Sequence, residues 1–197
     1  MMEKMQKIKF TDGCPNGCQY CYEPMIPIKF YEPIFGKDDF TQIMDMNFLS
    51  NPDAIKIIQS LEKGVYEFVC GVDYRRMTQE IANLMKEKGF IKVRWAWDYY
   101  FSLQKIQKKT LEMFLKAGYK SRGLSVFMLA NWKIPYDECC LKLDLLKIWR
   151  VKVNDCCWDG GYKLAEPVYW TAEQIKDFRH RCRKHNQMVL FGIDPEL

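Results

Sequence analysis

The sequence lacks two kinds of apolar segment. No run of apolar residues among its 197 positions approaches the length that spans a bilayer. Its first seven residues, which include Glu3, Lys4 and Lys7, are too charged for a secretory signal peptide. We therefore expect a soluble cytoplasmic protein that does not bind a membrane.

The chain also lacks a regular cysteine pairing pattern and a strong excess of charge. Its nine cysteines are an odd number in a chain that is long enough to fold without disulfides, so we expect reduced thiols. The net charge of +5 is well short of that of a dedicated nucleic-acid-binding protein. A mildly basic surface still favours acidic partners, including nucleotides and nucleic acids, although solubility explains the charge equally well.

What the sequence does contain is a group of three cysteines near its N-terminus. Cys14, Cys18 and Cys21 follow the spacing C-x3-C-x2-C, with no fourth cysteine nearby. Ferredoxin clusters and structural zinc sites both use four protein ligands, so three thiolates imply a metal centre with one open position. A disulfide knot and a zinc loop are the alternatives.

This loop resembles the cluster loop of the radical S-adenosylmethionine (radical SAM) superfamily, including the aromatic Tyr20 before the last cysteine. The resemblance implies that Cys14, Cys18 and Cys21 bind a [4Fe-4S] cluster whose unique iron chelates S-adenosylmethionine, and it places Tyr20 among the cofactor-binding residues. It further implies that one electron cleaves the sulfonium and yields a 5'-deoxyadenosyl radical, which abstracts hydrogen from a substrate. The expected electron donor is a protein such as flavodoxin or ferredoxin.

Apolar runs typical of strands alternate with helix-period runs along almost the whole chain. The predicted strands lie at residues 8–10, 40–46, 67–71, 92–97, 124–129, 151–154 and 188–193. Predicted helices begin after Asn51-Pro52-Asp53, at Thr78, after the fourth strand, at Tyr136 and at Thr171, and Gly64, Gly89 and Gly118 end the first three. The third helix should bury Ile106, Leu111, Phe114 and Leu115.

Strands separated by helices favour parallel pairing with right-handed crossovers. With six or seven such units, and too little chain for eight, we predict an α/β fold: a partial (β/α)6-type TIM barrel with one extra C-terminal strand. It forms a single domain over residues 1–197, with the cluster loop at 12–23 and a C-terminal helix and strand at 171–193. The radical SAM core is commonly an open six-unit barrel, and the resemblance covers about residues 8–160.

The similarity is clearest to the branch that includes the methylthiotransferase-like and cobalamin-associated enzymes, without their accessory domains. Between Cys21 and Phe40 the family usually has a helix, but Pro24, Pro27 and Pro33 break any long one here. We expect an irregular segment there instead.

Ligands of a parallel barrel collect at the carboxyl ends of its strands. After the second strand, Asp45-Met46-Asn47-Phe48-Leu49 resembles an Asp-Asn-Asn-Phe-Leu pattern of the cobalamin-associated branch, and the more familiar Gly-Gly-Glu form is absent. The resemblance implies that Asp45 or Asn47 lies near the amino group of S-adenosylmethionine, while a turn role for Asn47 is the alternative. Asp73, in a turn similar to one of the same branch, is a weaker candidate.

Residues near the later strand ends complete the set of candidate cofactor contacts. Strand alternation puts Arg94 and Asp98 on one face, where Arg94 would neutralise the cosubstrate carboxylate and Asp98 falls at the acidic position of the family. An Arg94–Asp98 ion pair is the structural alternative. By family position, Asn131 is a candidate ribose contact and Asn154 lies near the adenine.

Tryptophans recur near the same strand ends. Trp97, Trp132 and Trp158 each lie beside a polar residue and would form a platform for a flat substrate such as a nucleobase, although ordinary packing is the more frequent explanation. The aromatic rim and the basic charge favour a nucleotide or nucleic-acid substrate.

Two further groups have structural and functional interpretations. Buried reduced thiols are the default for the cysteines outside the loop, while hydrogen-atom donation by Cys156 or Cys157 and an additional metal that also involves Cys139 and Cys140 are alternatives. These six cysteines are Cys70, Cys139, Cys140, Cys156, Cys157 and Cys182. The basic helix end at residues 179–185 is expected to be a solvated face, with nucleic-acid contact as the alternative.

The sequence therefore predicts a radical SAM enzyme of unknown substrate, which uses a [4Fe-4S] cluster and S-adenosylmethionine. A glycyl-radical activating enzyme that acts on a protein partner is a second interpretation. A non-catalytic iron-sulfur or zinc-binding module is a third.

Overall fold

The computed structural model of the protein describes residues 5–21, 29–32, 40–98, 100–158 and 169–192. Its strands are β1 (Met5–Ile8), β2 (Thr11–Asp12), β3 (Lys29–Phe30), β4 (Phe40–Ile43), β5 (Tyr66–Phe68), β6 (Arg94–Trp97), β7 (Ser125–Ala130) and β8 (Lys152–Cys157). Its α-helices are α1 (Ala54–Ser60), α2 (Gln79–Lys88), α3 (Gln104–Lys116), α4 (Tyr136–Trp149) and α5 (Ala172–Phe191). None of the helices within these described ranges combines the length and apolarity needed to cross a membrane.

The strand pairing confirms the predicted α/β class. β1 pairs with β4, β4 with β5 and β7 with β8, all in parallel, and helices separate most of the consecutive strands. The parallel strands form sheets ordered β1-β4-β5 and β6-β7-β8, and no closed barrel is present among the described residues. The backbone divides into two compact units, residues 1–95 with 112–119 and residues 96–111 with 120–197. The single-domain organisation stays a prediction.

In the first unit, the sheet is buried beneath aromatic side chains. Phe48, which begins a 3-10 helix at Phe48–Ser50, packs against Phe10 and Phe68 at ring-centroid distances of 5.5 and 4.7 Å. Ile43, the last residue of β4, is fully buried. Because β4 ends at Ile43 and the 3-10 helix begins at Phe48, Asp45 and Asn47 lie at the carboxyl end of this strand.

Helix α2 has the termini that the sequence predicts. The Thr78 hydroxyl accepts a hydrogen bond from the Ile81 amide at 3.2 Å, and Gly89 follows the helix with a φ of +95°. A Cβ at Gly89 would lie only 2.0 Å from the Gly64 carbonyl oxygen, so both the left-handed backbone and the close approach require glycine there.

In the second unit, α4 and α5 pack against the sheet. The Asn186 side chain of α5 pairs with both backbone groups of Val153 in β8, at 2.8 and 2.7 Å. At the start of α5, Thr171 and Gln174 form the predicted capping box. These bonds fix α5 against the end strand of the sheet.

The predicted C-terminal strand at 188–193 is wrong where the structure describes it. Residues up to Phe191 belong to α5, and Gly192 ends the helix with a φ of +67°. A helical period explains this result, because the buried residues of α5 are spaced three and four apart. They are Phe178, Cys182, His185 and Val189.

Several predicted boundaries and one predicted face also need correction. β1 begins at Met5, three residues before the start of the strand predicted at 8–10, and it ends at Ile8. β8 extends to Cys157, whereas the predicted strand ends at Asn154. In α3, Leu111 and Phe114 are buried as predicted, whereas Ile106 and Leu115 are exposed. Most of the segment between Cys21 and Phe40, with Pro24, Pro27 and Pro33, lies outside the described residues.

Candidate functional site

The cysteine loop follows β2 and curls through two glycines with positive φ, Gly13 at +87° and Gly17 at +55°. The Cys21 amide donates to the Cys18 carbonyl oxygen at 3.0 Å, which closes a turn between these two residues. Cys14, Cys18 and Cys21 form no disulfide and are half-buried, and Tyr20 beside them is half-buried too. The loop therefore presents three partly accessible thiols.

The free state of these cysteines bears on the alternatives. None of the nine cysteines forms a disulfide, so the loop is not a disulfide knot. Across the described part of the chain, no three His, Cys, Asp or Glu side chains are gathered closely enough to share a single metal ion. Thiolates that share one zinc all lie about 2.3 Å from it, whereas in a cubane each thiolate binds a different iron.

Asp73 connects the cysteine loop to the turn that follows β4. Its carboxylate accepts hydrogen bonds from the side-chain amides of Asn16, in the loop, at 3.2 Å and of Asn47 at 3.1 Å. Arg75 donates to it from Nε at 2.7 Å and from Nη2 at 3.0 Å. Burial opposes ionisation of Asp73, but the bonds from Arg75 and Asn16 outweigh it and lower the pKa of the carboxyl.

The side chain of Asn47 lies against a cysteine of the loop. Its Nδ2 lies 3.8 Å from Cys14 Sγ, in addition to its bond to Asp73. Its Oδ1 is buried and has no hydrogen-bond partner among the described residues. A buried amide oxygen without a donor is costly, so this atom fits a ligand that donates a hydrogen bond.

Asp45 has a different environment from Asp73. It is 1% exposed, and its Oδ2 accepts a hydrogen bond from the Phe10 amide at 3.0 Å. Burial raises the pKa of this carboxyl despite the opposing hydrogen bonds from Phe10 and Thr11. The structure thus uses Asp45 to hold the chain between β1 and β2.

A positive charge lies beside the loop. Arg75 is close enough to Cys18 for a charge interaction, and its main partner, Asp73, raises the pKa of its guanidinium. Arg94, by contrast, forms an ion pair with the Glu67 carboxylate, which is 5% exposed. A carboxylate contact by Arg94 would therefore have to compete with Glu67.

The candidates in the second unit are largely occupied by structural contacts. Asn131 is fully buried with a φ of +62°; its Nδ2 donates to the Trp158 carbonyl at 2.7 Å and its Oδ1 accepts from the Trp170 amide at 2.7 Å. A ribose contact by Asn131 would have to replace these bonds. Asn154 lies within β8 and not after it, and its amide donates to Ser125 Oγ at 3.1 Å. Asp98 follows β6 and is half-buried.

The tryptophans support packing rather than a platform. Trp97 is fully buried and stacks with Trp149 at a centroid distance of 5.9 Å and with Phe101 at 6.4 Å. Trp132 is 4% exposed and meets Trp158 edge-on at 4.6 Å. The platform hypothesis for Trp97 and Trp132 is therefore wrong, because their faces are covered by protein; Asp159, beside Trp158, lies outside the described residues.

The other cysteines and the basic residues 179–185 also have structural explanations, although these basic residues lie in the middle of α5 and not at its end as predicted. Cys139 and Cys182 are buried, and burial raises the pKa of the Cys139 thiol to about 12, which is typical of an unreactive cysteine. Cys156 and Cys157 are the last residues of β8 rather than residues that follow it. In α5, Arg179 pairs with Asp155 at 3.5 Å, and Arg181 pairs with Asp177 at 2.6 Å.

Sequence reasoning singled out Asp73 and Asn47 but missed their partners. Asn16 lies between two cysteines of the loop, and Arg75 lies two residues after Asp73, so both were close to a recognised motif. It also missed Lys142, whose Nζ is buried over the Trp97 ring with no hydrogen-bond partner in the described parts of the chain. No sequence signal marks Lys142, because its helix position does not tell a buried lysine from an exposed one.

Comparison with known proteins adds one finding. No protein-family model matches the chain, and no curated protein matches it. A solved structure of the radical S-adenosylmethionine methyltransferase TsrM from Kitasatospora setae, with cobalamin and a [4Fe-4S] cluster bound, has a similar fold, with a TM-score of 0.65 at 12% identity. The match covers 79% of this chain and 37% of the TsrM chain, so this chain spans little more than a third of that protein. The chain therefore shares the fold of the matched part of TsrM.

Proposed function

We propose that this protein is a radical SAM enzyme in which Cys14, Cys18 and Cys21 hold a [4Fe-4S] cluster. When bound and reduced, such a cluster supplies the electron that cleaves S-adenosylmethionine to a 5'-deoxyadenosyl radical, which abstracts hydrogen from a substrate. The observation that carries the proposal is the loop of three cysteines without disulfides, which Asp73 joins to Asn47, whose Oδ1 has no hydrogen-bond partner among the described residues. The fold similarity to TsrM supports it.

The residues around the loop suit this pair of cofactors. Thiolates are the ligands that iron-sulfur clusters use, and three of them leave one iron for the cosubstrate. The Asn47 Oδ1 is an acceptor that suits an N–H of the amino group of S-adenosylmethionine, in line with the role that the family resemblance implies for it. Arg75 places a positive charge near Cys18, beside the negative charge that a bound cluster would carry.

The proposal is tested by anaerobic reconstitution with iron and sulfide. The protein should bind about four irons per chain, as expected for a cubane. After reduction with dithionite in the presence of S-adenosylmethionine, it should release 5'-deoxyadenosine. A protein that holds the cluster and releases none is not a radical SAM enzyme, and one that binds zinc without visible absorption is the non-catalytic module.

The substrate requires a separate test. A nucleotide or nucleic acid loses one of its two supports, because Trp97 and Trp132 of the expected aromatic rim are buried, while the net charge of +5 remains. Nucleotides, single-stranded RNA and a protein fraction should be compared in deuterated form for transfer of deuterium into 5'-deoxyadenosine. Transfer from a nucleic-acid component supports the predicted substrate class, and transfer from the protein fraction favours the activating-enzyme alternative.

Methyl transfer is a second candidate, because TsrM is described as a methyltransferase with cobalamin bound. Addition of cobalamin to the reconstituted protein distinguishes the two. A protein-bound cobalamin spectrum would favour methyl transfer, whereas unchanged free cobalamin would favour hydrogen abstraction alone. The electron donor is proposed to be flavodoxin or ferredoxin, which should replace dithionite in the cleavage assay.

A further inference from the structure

The orientation of the Asn47 side chain is fixed by its neighbour. Its Nδ2 lies 3.1 Å from Asp73 Oδ2, and a flipped amide would place the Asn47 oxygen against that carboxylate. An ionised carboxylate only accepts hydrogen bonds, so the N–H side must face Asp73. With the amide in this orientation, Nδ2 also lies 3.8 Å from Cys14 Sγ, within the range of a hydrogen bond to sulfur.

Asp73 is itself held in place. Arg75 grips the carboxylate through two side-chain nitrogens and its backbone amide, at 2.7, 3.0 and 3.1 Å, so the carboxylate has little freedom to rotate. The oxygen that faces Asn47 also accepts from Asn16, which lies between Cys14 and Cys18 in the loop. Asp73 Oδ2 therefore holds both the cysteine loop, through Asn16, and the Asn47 amide that lies beside Cys14.

We propose that Asn47 donates an N–H···S hydrogen bond to the Cys14 thiolate and thereby raises the reduction potential of the cluster, with Asp73 as the positioning residue. The inference rests on the proposed function, since it requires a cluster on Cys14. One-electron reduction makes the cluster more negative, and a donor aimed at a ligating sulfur stabilises that added charge. Hydrogen bonds to the sulfurs are among the features that set iron-sulfur potentials.

The test is a potentiometric titration of the reconstituted protein with dithionite, followed by the electron paramagnetic resonance signal of the reduced cluster. Asn47→Leu removes the donor and keeps a similar volume. At a fixed potential, its ratio of reduced to oxidised cluster should fall about tenfold, which is about 59 mV for a one-electron couple. A potential equal to that of the wild type overturns the inference.

Asn51→Leu is the matched control. Asn51 is also a buried asparagine of the same segment, but its amide donates to Thr11 Oγ1 at 3.3 Å and not to a cysteine. Its variant should keep the wild-type potential. An equal fall in both variants would assign the effect to general disturbance of the site and would overturn the inference.

A second measurement needs no variant. In wild-type protein transferred to deuterated water, the iron–thiolate stretching bands in the resonance Raman spectrum should shift, because the donor to sulfur exchanges its proton. If Asn47→Leu does not retain a cluster, this shift decides: its presence supports the inference and its absence overturns it. A wild-type protein that takes up no cluster would overturn the proposed function itself, which is a different outcome from unchanged potentials.

Discussion

Polar residues at strand ends serve different purposes in the two compact units of this molecule. In the first unit, Asn47 and Asp73 bond to each other and to the cysteine loop, and the Asn47 oxygen is left for a ligand. In the second unit, the side-chain nitrogen and oxygen of Asn131 both form hydrogen bonds with backbone groups. An asparagine that follows a parallel strand is therefore available to a ligand in the first unit, whereas in the second unit it joins loops.

The largest effect is expected where the first unit loses a cluster ligand. Cys14→Ala should abolish 5'-deoxyadenosine formation and most iron binding, because a cubane with two protein thiolates is poorly held. Cys140→Ala, a half-buried thiol of the second unit, is the control and should retain about four irons. The iron content and the 5'-deoxyadenosine yield of both variants are measured after anaerobic reconstitution. A Cys14 variant with full iron and activity would remove the distinction between the units.

Next in size is the loss of a buried ring in the second unit. Trp97→Ala should cost about 3–5 kcal/mol of unfolding free energy, since the ring is fully buried between Phe101 and Trp149. Trp158→Ala should cost less, because Trp158 is only half-buried. Urea denaturation measures both. A Trp97 variant of wild-type stability that fails to bind a nucleotide would restore the platform hypothesis.

Asn131 provides a direct test of the structural use of a strand-end amide. Asn131→Ala should cost about 2–4 kcal/mol, because the Trp158 carbonyl and the Trp170 amide both lose their partner. Asn154→Ala removes one bond to Ser125 and should cost about 1 kcal/mol. For each variant, the free energy of unfolding and the affinity for S-adenosylmethionine are both measured. An Asn131 variant that is stable but binds S-adenosylmethionine poorly would support the predicted ribose contact instead.

The buried Lys142 is expected to act against stability. Burial lowers the pKa of its ammonium, which has no hydrogen-bond partner in the described residues. Lys142→Met should therefore stabilise the protein by about 1–4 kcal/mol. Lys147→Met, in the last turn of the same helix, should instead cost about 0.3–1 kcal/mol through the helix dipole. Thermal unfolding of both variants tests this, and a destabilised Lys142 variant would contradict it.

The smallest effect is a dependence of stability on pH. The His185 Nε2 bonds to the Val151 carbonyl at 2.7 Å, and its buried Nδ1 has no partner in the described residues. Burial lowers the pKa of His185, so below about 6.5 the unfolded chain binds the extra proton more readily than the folded one. Stability is therefore complete above this pH and is lost as the pH falls toward the folded pKa.

The two histidines of the chain allow a matched comparison on one helix. His185→Gln should flatten the loss of stability between pH 7 and 5 (roughly the range in which histidine titrates). His180→Gln, at an exposed position of α5, should leave the loss unchanged. Denaturation curves across this range measure it. An unchanged slope in the His185 variant would assign the pH dependence to other groups.

The sequence predicted features that depend on neighbouring residues better than features that depend on packing. The α2 boundaries followed from Thr78 and Gly89, because capping depends on residues within a few positions of each other. The extra strand at 188–193 failed because a short apolar run fits a buried helix end as well as a strand, and only packing of α5 against β8 decides between them. The exposure of Ile106 and Leu115 in α3 likewise depends on what packs against that helix.

By itself, the sequence determined the parallel α/β class and the three thiols on one glycine-containing loop, since both depend on local spacing. Only the tertiary structure decided that Asp73 forms hydrogen bonds with Asn16 and Asn47. It also decided that the Asn131 side chain bonds to the backbone and that Lys142 is buried. The reason is physical. A spacing fixes the direction of a side chain along its own element, but its partners come from segments that are distant in the chain, and folding alone brings them together.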